Sequence, residues 1–151
     1  MKRTSRIELL RSVWLFERCS RAELITVESS ATQLGVPAGK VLAREGEIGR
    51  EFFVLVTGTA LATRAGEKIA TLEPGEFFGE MALLDCQPRT ATVETLEQCE
   101  LLVLSAREFA TVVETMPAVD RRIMTVLARR LRELENRFLP VEERLLTRQV
   151  S

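Results

Sequence analysis

Short apolar runs separated by glycine and proline turns constrain the fold of this chain more than any other feature. Between Ala31 and Leu104 the turn residues recur at intervals of roughly 8–12 residues, a spacing typical of β-sandwiches and β-barrels. The runs between the turns predict strands at 31–36, 40–44, 52–57, 59–65, 68–72, 90–94 and 99–104. At 151 residues the chain is long enough to form one domain with its own core.

Helical patterns precede this β-rich region. Ile7, Leu10 and Trp14, with Val13 beside them, fall on one face of a predicted first helix. Ser20 and Glu23 have the spacing of a capping box, which predicts the start of a second helix. We therefore expect an N-terminal helical segment over residues 1–30, ahead of a β-domain over residues 31–104.

Two further helices are predicted after the β-region, over residues 105–138, and residues 139–151 are expected to form a tail. Ser105 and Glu108 form a second capping-box pattern. That helix should stop before Pro117, because proline disfavours helical geometry in the residue ahead of it, and Pro117 can begin the next helix. Pro140 is expected to end the last helix.

The last predicted helix carries one continuous apolar stripe at spacings of four, four, four, three and four residues. Its members are Val119, Ile123, Leu127, Leu131, Leu134 and Phe138. The stripe is consistent with packing on the β-domain, with a lid over a bound base, or with a dimer seam. Six arginines in this helix are interpreted as a solvated charged face rather than a nucleic-acid surface.

The segment from Phe77 to Val93, FFGEMALLDCQPRTATV, sets one acid and one arginine beside small residues in an otherwise apolar run. Gly79 allows the chain to turn from a strand into a short helix, whose first amides and dipole favour phosphate. Ala82 is small enough for a ligand to approach its backbone closely. Arg89 can grip two phosphate oxygens, whereas Glu80 would repel phosphate and suits a ribose hydroxyl. These residues predict a site for a nucleotide monophosphate.

Other ligand and enzyme classes lack their sequence patterns. There is no GxxxxGK[ST] loop, no GxGxxG turn and no carboxylate cluster typical of a magnesium site. The chain has no histidine, and its three cysteines form no CxxC pair, so neither a metal nor a disulfide framework is expected. A single acid, Glu80, leaves acid–base catalysis without a partner, so the protein is not expected to be an enzyme.

Composition favours a soluble globular protein. Hydrophobic residues make up 46% of the chain, charged residues 28%, and the net charge is -1, which gives no overall attraction to nucleic acid. No apolar stretch is long enough to span a membrane, and charged residues interrupt the N-terminus before a signal sequence could form. We therefore expect a cytoplasmic location and no membrane span.

The Phe77–Val93 segment resembles the phosphate-binding cassette of cyclic nucleotide-binding domains. These domains are the cAMP and cGMP receptor modules of bacterial regulators, cyclic-nucleotide-dependent kinases and ion channels. The shared positions are Gly79-Glu80, the variable Met81, the small Ala82, the apolar Leu83 and the run Arg89-Thr90-Ala91-Thr92-Val93. The resemblance runs from about Leu15 to Leu134. It implies a mainly β, α+β fold: a jelly-roll β-barrel (double-stranded β-helix) with N-terminal helices and two C-terminal helices.

The resemblance also implies a role for each site residue. Glu80 and the Gly79 amide would hold the ribose 2′-hydroxyl, Arg89 would pair with the cyclic phosphate, and the Ala82 and Thr90 amides would complete the phosphate cradle. Met81 lies between these ligand-binding positions. An apolar residue on the last helix would cap the base, and the candidates are Leu127, Leu131 and Leu134. The expected ligand is cAMP, while Thr90 leaves cGMP open.

The function implied by the resemblance is a receptor that passes ligand occupancy to a partner through its C-terminal helices. The expected partners are an unidentified protein effector and a second copy of the chain bound through the last helix. DNA binding is not expected, because the residues after Pro140 are too few for a helix-turn-helix. The alternative is a ligand-free interaction module that dimerises or docks through the Val119–Phe138 stripe. The sequence leaves open whether the chain is a fragment of a larger protein.

Overall fold

Two four-stranded antiparallel sheets form the centre of the protein. The structure is a computed structural model that describes residues 3–138. The strand order is β1-β8-β3-β6 in one sheet and β2-β7-β4-β5 in the other. The strands are β1 Thr32–Val36, β2 Val41–Ala43, β3 Glu51–Thr57, β4 Ala60–Arg64, β5 Glu67–Leu72, β6 Phe77–Phe78, β7 Thr92–Thr95 and β8 Cys99–Ser105. The predicted mainly β jelly-roll fold is confirmed, as a pair of sheets with flanking helices.

Within residues 3–138, five α-helices accompany the sheets: α1 Arg3–Ser12, α2 Arg21–Ser30, α3 Glu80–Asp85, α4 Ala106–Thr115 and α5 Pro117–Phe138. Both predicted capping boxes are present, at the starts of α2 and α4. The predicted break at Pro117 is also confirmed, since α4 ends at Thr115 and α5 begins at the proline. Pro140 and the predicted tail lie outside the described residues. In the part of the chain that is described, no helix combines the length and apolar character needed to cross a membrane.

One prediction of local structure was wrong, and one strand was expected without a stated range. Trp14 does not share a helix face with Ile7 and Leu10, because α1 ends at Ser12 and Trp14 opens a 3-10 turn, where it is 37% exposed. The strand expected directly before Gly79 is β6, which was given no range of its own because it contains only two residues inside the cassette. It forms through pairing with β3, where the rings of Phe53 and Phe78 stack with centroids 4.7 Å apart.

Strand β3 divides the core into two apolar clusters. Its residues are buried on both faces, so Phe53 and Leu55 point between the sheets while Phe52 and Val54 point towards the helices. The helices α1, α2, α4 and the first half of α5 cover that second face, which belongs to the β1-β8-β3-β6 sheet. This layer places α5 within reach of the cassette at the end of β6.

Candidate functional site

Gly79, near the start of the Phe77–Val93 cassette, lies against the side chain of Arg89, near its end. This glycine has a φ of 98°, a conformation that side chains disfavour, and it turns the chain from β6 into α3. A Cβ atom on Gly79 would lie 2.6 Å from Nη1 of Arg89 and 2.7 Å from the carbonyl oxygen of Glu51. The missing side chain therefore allows the guanidinium of Arg89 to lie against the start of α3.

Arg89 is a buried cation, and one of its guanidinium nitrogens lacks a hydrogen-bond partner among the described residues. The residue is 8% exposed, and Nη2 donates to the carbonyl oxygen of Glu51 at 2.7 Å. Within the described residues, Nη1 is buried and has no hydrogen-bond partner. Burial lowers the pKa of Arg89, and the carboxylates of Glu51 and Glu80 oppose that shift. A buried guanidinium with an unsatisfied donor is costly unless an anion pairs with it, so this position favours an anionic ligand.

Gly49 provides space on another side of the same guanidinium. A Cβ atom there would lie 2.4 Å from Nε of Arg89 and 2.5 Å from Cζ. Gly49 belongs to the loop between β2 and β3, and the cavity lined by this loop and Arg89 has a volume of about 150 Å³. Arg44 and Arg50 also line this cavity. The arginine side chain thus runs between two glycines, and neither could be replaced without moving it.

Glu80 is a buried carboxylate that contacts α5. It is 1% exposed at the start of α3, and its Oε1 accepts a hydrogen bond from Nη1 of Arg130. A buried carboxylate requires such a partner, because ionised groups lose their hydration when they leave water. An ion pair therefore joins the cassette to the last helix.

Arg130 was not among the predicted site residues. It was grouped with the other arginines of α5, which were interpreted as a solvated face. A signal was nevertheless present, because Arg130 continues the helical spacing of Val119, Ile123 and Val126, which all pack towards the core. A charged residue on the apolar face of a helix points to a buried partner of opposite charge.

The other predicted residues occupy different environments. Ala82 is buried on α3, one residue after Met81, and Thr90 is exposed beside Arg89. Leu127 packs against the core cluster under the helices, whereas Leu131 is 57% exposed and Leu134 is 49% exposed. The structure thus brings Gly79, Glu80 and Arg89 together and leaves Leu131 and Leu134 on the surface. Base capping by one of the three leucines remains a prediction.

Helix α5 also contacts the N-terminal 3-10 turn. The guanidinium of Arg122 lies over the ring of Trp14 at 4.5 Å from the centroid, and that of Arg129 lies at 6.0 Å. Nη1 of Arg122 donates to the carbonyl oxygen of Trp14, and the same group lies 3.6 Å from a carboxylate oxygen of Glu17. A displacement of α5 would therefore change the surroundings of Trp14.

The described part of the chain offers no metal-binding geometry. Across residues 3–138, no group of three or more cysteine, aspartate or glutamate side chains lies close enough together to hold a metal ion. The polar groups of the site are the carboxylate of Glu80 and the guanidinium groups of Arg89 and Arg130, with the hydroxyl of Thr90 and backbone amides nearby. Such a set suits a ligand that carries both an anionic group and hydroxyl donors.

Comparisons with known proteins agree with this chemistry. The family described as "Cyclic nucleotide-binding domain" matches residues 33–116. A cyclic nucleotide-gated potassium channel of Rhizobium etli is 36% identical over 124 residues, which cover 82% of this chain and 35% of the channel. The cyclic AMP receptor protein of Thermus thermophilus is 36% identical over 114 residues, which cover 71% of this chain and 53% of that protein.

A solved structure has a similar fold. The structure of cAMP-bound PfPKA-R superposes with a TM-score of 0.77 at 29% identity, and the aligned region covers 89% of this chain and 48% of that one. The chain thus spans between 35% and 53% of the length of these three proteins.

Proposed function

Since the chain belongs to the cyclic nucleotide-binding domain family, we propose that it is a receptor for a cyclic nucleotide, with cAMP as the expected ligand and cGMP as the alternative. The observation that carries the proposal is Arg89, a buried guanidinium with an unpaired Nη1 beside Gly79. The cyclic phosphate of a nucleotide would supply the missing acceptor, and it would offset the desolvation of the cation.

The remaining site residues fit the other parts of the ligand. The buried carboxylate of Glu80 accepts hydrogen bonds, so we assign it to the ribose 2′-hydroxyl together with the Gly79 amide. The amides of Ala82 and Thr90 would complete the phosphate cradle, with Met81 on α3 between Glu80 and Ala82. We assign no catalytic role, because a single carboxylate offers no acid–base pair for turnover.

We propose that α5 reports ligand occupancy. Arg130 pairs with the carboxylate that the ribose would use, so ligand and helix share one acceptor. Ligand binding then favours a different position of α5, to the extent that the ligand binds that arrangement more tightly. A protein effector would recognise the new position of the helix. The expected cytoplasmic location remains a prediction.

A second candidate function rests on the exposed apolar residues of α5. Met124, Leu131 and Leu134 are about half exposed or more, and with Leu127 they follow the three-and-four spacing of a coiled-coil seam. This pattern favours a homodimer through α5, either alongside ligand binding or in its place.

Thermal denaturation with and without ligand tests the proposed function. We expect cAMP or cGMP at 100 Kd to add about 2.7 kcal/mol, which corresponds to roughly 5–10 °C in the thermal midpoint. A nucleoside such as adenosine, which lacks the phosphate, serves as the control ligand and should have little effect. No shift with either cyclic nucleotide, in a chain that sediments as a dimer, would instead favour the interaction module.

Trp14 provides a probe for the movement of α5, because it is the only tryptophan and the chain has no tyrosine. We expect saturating cyclic nucleotide to change the emission of Trp14 in the wild-type protein. Arg130→Met should still bind ligand through Arg89, but its emission change should be much smaller, because the link between Glu80 and α5 is gone. Arg132→Met, at an exposed position of the same helix, is the matched control. Equal emission changes in all three proteins would contradict the proposed link.

A further inference from the structure

The turn between β4 and β5 contacts the segment that carries Arg89. Arg64 is the last residue of β4, and its side chain is exposed. Its Nε donates to the carbonyl oxygen of Thr90 at 2.8 Å. An arginine at the end of a surface strand is usually a solvated charge, but here its Nε–H binds the backbone of the residue next to Arg89.

A second connection joins the same turn to the other side of this segment. Oε1 of Glu45 accepts from the backbone N–H of Ala65 at 2.9 Å, and the N–H of Glu45 donates to Oγ1 of Thr92 at 3.0 Å. Glu45 lies in the β2–β3 loop, directly before Gly46. The hairpin turn, the loop and the cassette are thus joined by side-chain hydrogen bonds on the C-terminal side of Arg89.

The backbone around Arg89 is held by the same loop. The N–H of Arg89 donates to the carbonyl oxygen of Glu47 at 2.7 Å, and the N–H of Gly46 donates to the carbonyl oxygen of Arg89 at 2.9 Å. The second bond fixes the Arg89–Thr90 peptide group, whose N–H is assigned to the phosphate cradle. The bond from Arg64 fixes the next peptide group, between Thr90 and Ala91. Holding two successive peptide groups determines the backbone dihedrals of Thr90 and therefore the direction of its amide.

We propose that Arg64 is a positioning residue for ligand binding, an inference that rests on the proposed function. Through its bond to the Thr90 carbonyl it holds the Arg89–Thr90 backbone in the orientation that a phosphate group requires, without touching the ligand. Preorganisation of this kind raises affinity, because the free protein has already ordered the groups that bind. The residue acts on the phosphate-binding half of the site, and Glu80 is not affected.

Two substitutions of Arg64 separate its hydrogen bond from its charge. Arg64→Met keeps an unbranched side chain that reaches the ε position and removes the donor there. Arg64→Gln places an amide nitrogen at the position of Nε and removes the charge. We expect Arg64→Met to weaken cyclic nucleotide binding about 3- to 10-fold, because one hydrogen bond is lost. The affinity of Arg64→Gln should remain close to that of the wild type. Equal affinities in Arg64→Met and wild type, or equal losses in both variants, would overturn the proposal.

Amide hydrogen exchange in the ligand-free protein gives an independent measurement. The N–H groups of Gly46 and Arg89 should exchange faster in Arg64→Met than in Arg64→Gln, while amides in the core strand β8 should be unchanged. Unchanged exchange at both residues would overturn the proposal even if ligand affinity fell. If wild-type protein binds neither cAMP nor cGMP, the proposed function fails, and the exchange rates alone then decide whether Arg64 positions this segment.

Discussion

Replacement of Arg89 by alanine is expected to lower cyclic nucleotide affinity by about 100-fold or more while the protein remains folded. The variant removes a charge-assisted contact to phosphate in a buried position, where loss of one partner typically costs about 2–5 kcal/mol. The fold should tolerate the change, because the side chain is desolvated and its Nη1 has no partner among the described residues. Calorimetric titration with the preferred nucleotide measures the loss.

Two variants make this result specific. Arg107→Ala removes an exposed arginine in the first turn of α4 and should bind ligand as the wild type does. Arg89→Lys keeps the charge but cannot make two parallel hydrogen bonds, so its affinity should fall between those of wild type and Arg89→Ala. Wild-type affinity in a folded Arg89→Ala protein would exclude Arg89 as the phosphate ligand.

Replacement of Gly79 by alanine is expected to reduce both stability and binding. The positive φ costs an L-residue roughly 1–2 kcal/mol, and forcing an extra carbon into a packed site costs roughly 1–3 kcal/mol more. The new Cβ would overlap with Nη1 of Arg89 and with the carbonyl oxygen of Glu51. The backbone oxygen cannot move easily, so the guanidinium must leave its position. Urea denaturation and ligand titration measure the two effects.

Gly75→Ala is the matched control for this variant. Gly75 has a φ of 92°, close to the 98° of Gly79, but a Cβ atom there would meet nothing within 4 Å. It should therefore show the conformational cost alone, roughly 1–2 kcal/mol, with ligand affinity retained. Equal loss of stability in the two variants, with binding intact in both, would mean that the contact between Gly79 and Arg89 is not needed.

Features encoded by neighbouring residues were predictable from the sequence. Both capping boxes depend on residues three positions apart, and the break before Pro117 depends on proline geometry. The main strands were also found, with boundaries within about two residues, because apolar runs bounded by glycine or proline turns are local signals. The resemblance of one short segment to a known cassette then supplied the fold and the family.

Features that depend on contacts distant in sequence were not predictable. A strand before Gly79 was expected, but its pairing of Phe77 and Phe78 with β3 was not, because a run of two residues does not indicate its partner strand. The contact between Arg130 and Glu80 joins residues 50 positions apart. Similarly, nothing local to Arg64 indicates that its Nε binds the backbone at Thr90, 26 residues away. Each of these contacts requires the packing of the sheets and α5 to be known first.

The most direct test of the receptor assignment is calorimetric titration of the wild-type chain with cAMP and, separately, with cGMP. We predict saturable binding of at least one of them. One nucleotide should bind per chain, since the chain contains one such cassette, Phe77–Val93. Absence of saturable binding of either nucleotide, by protein shown to be folded, would contradict the assignment.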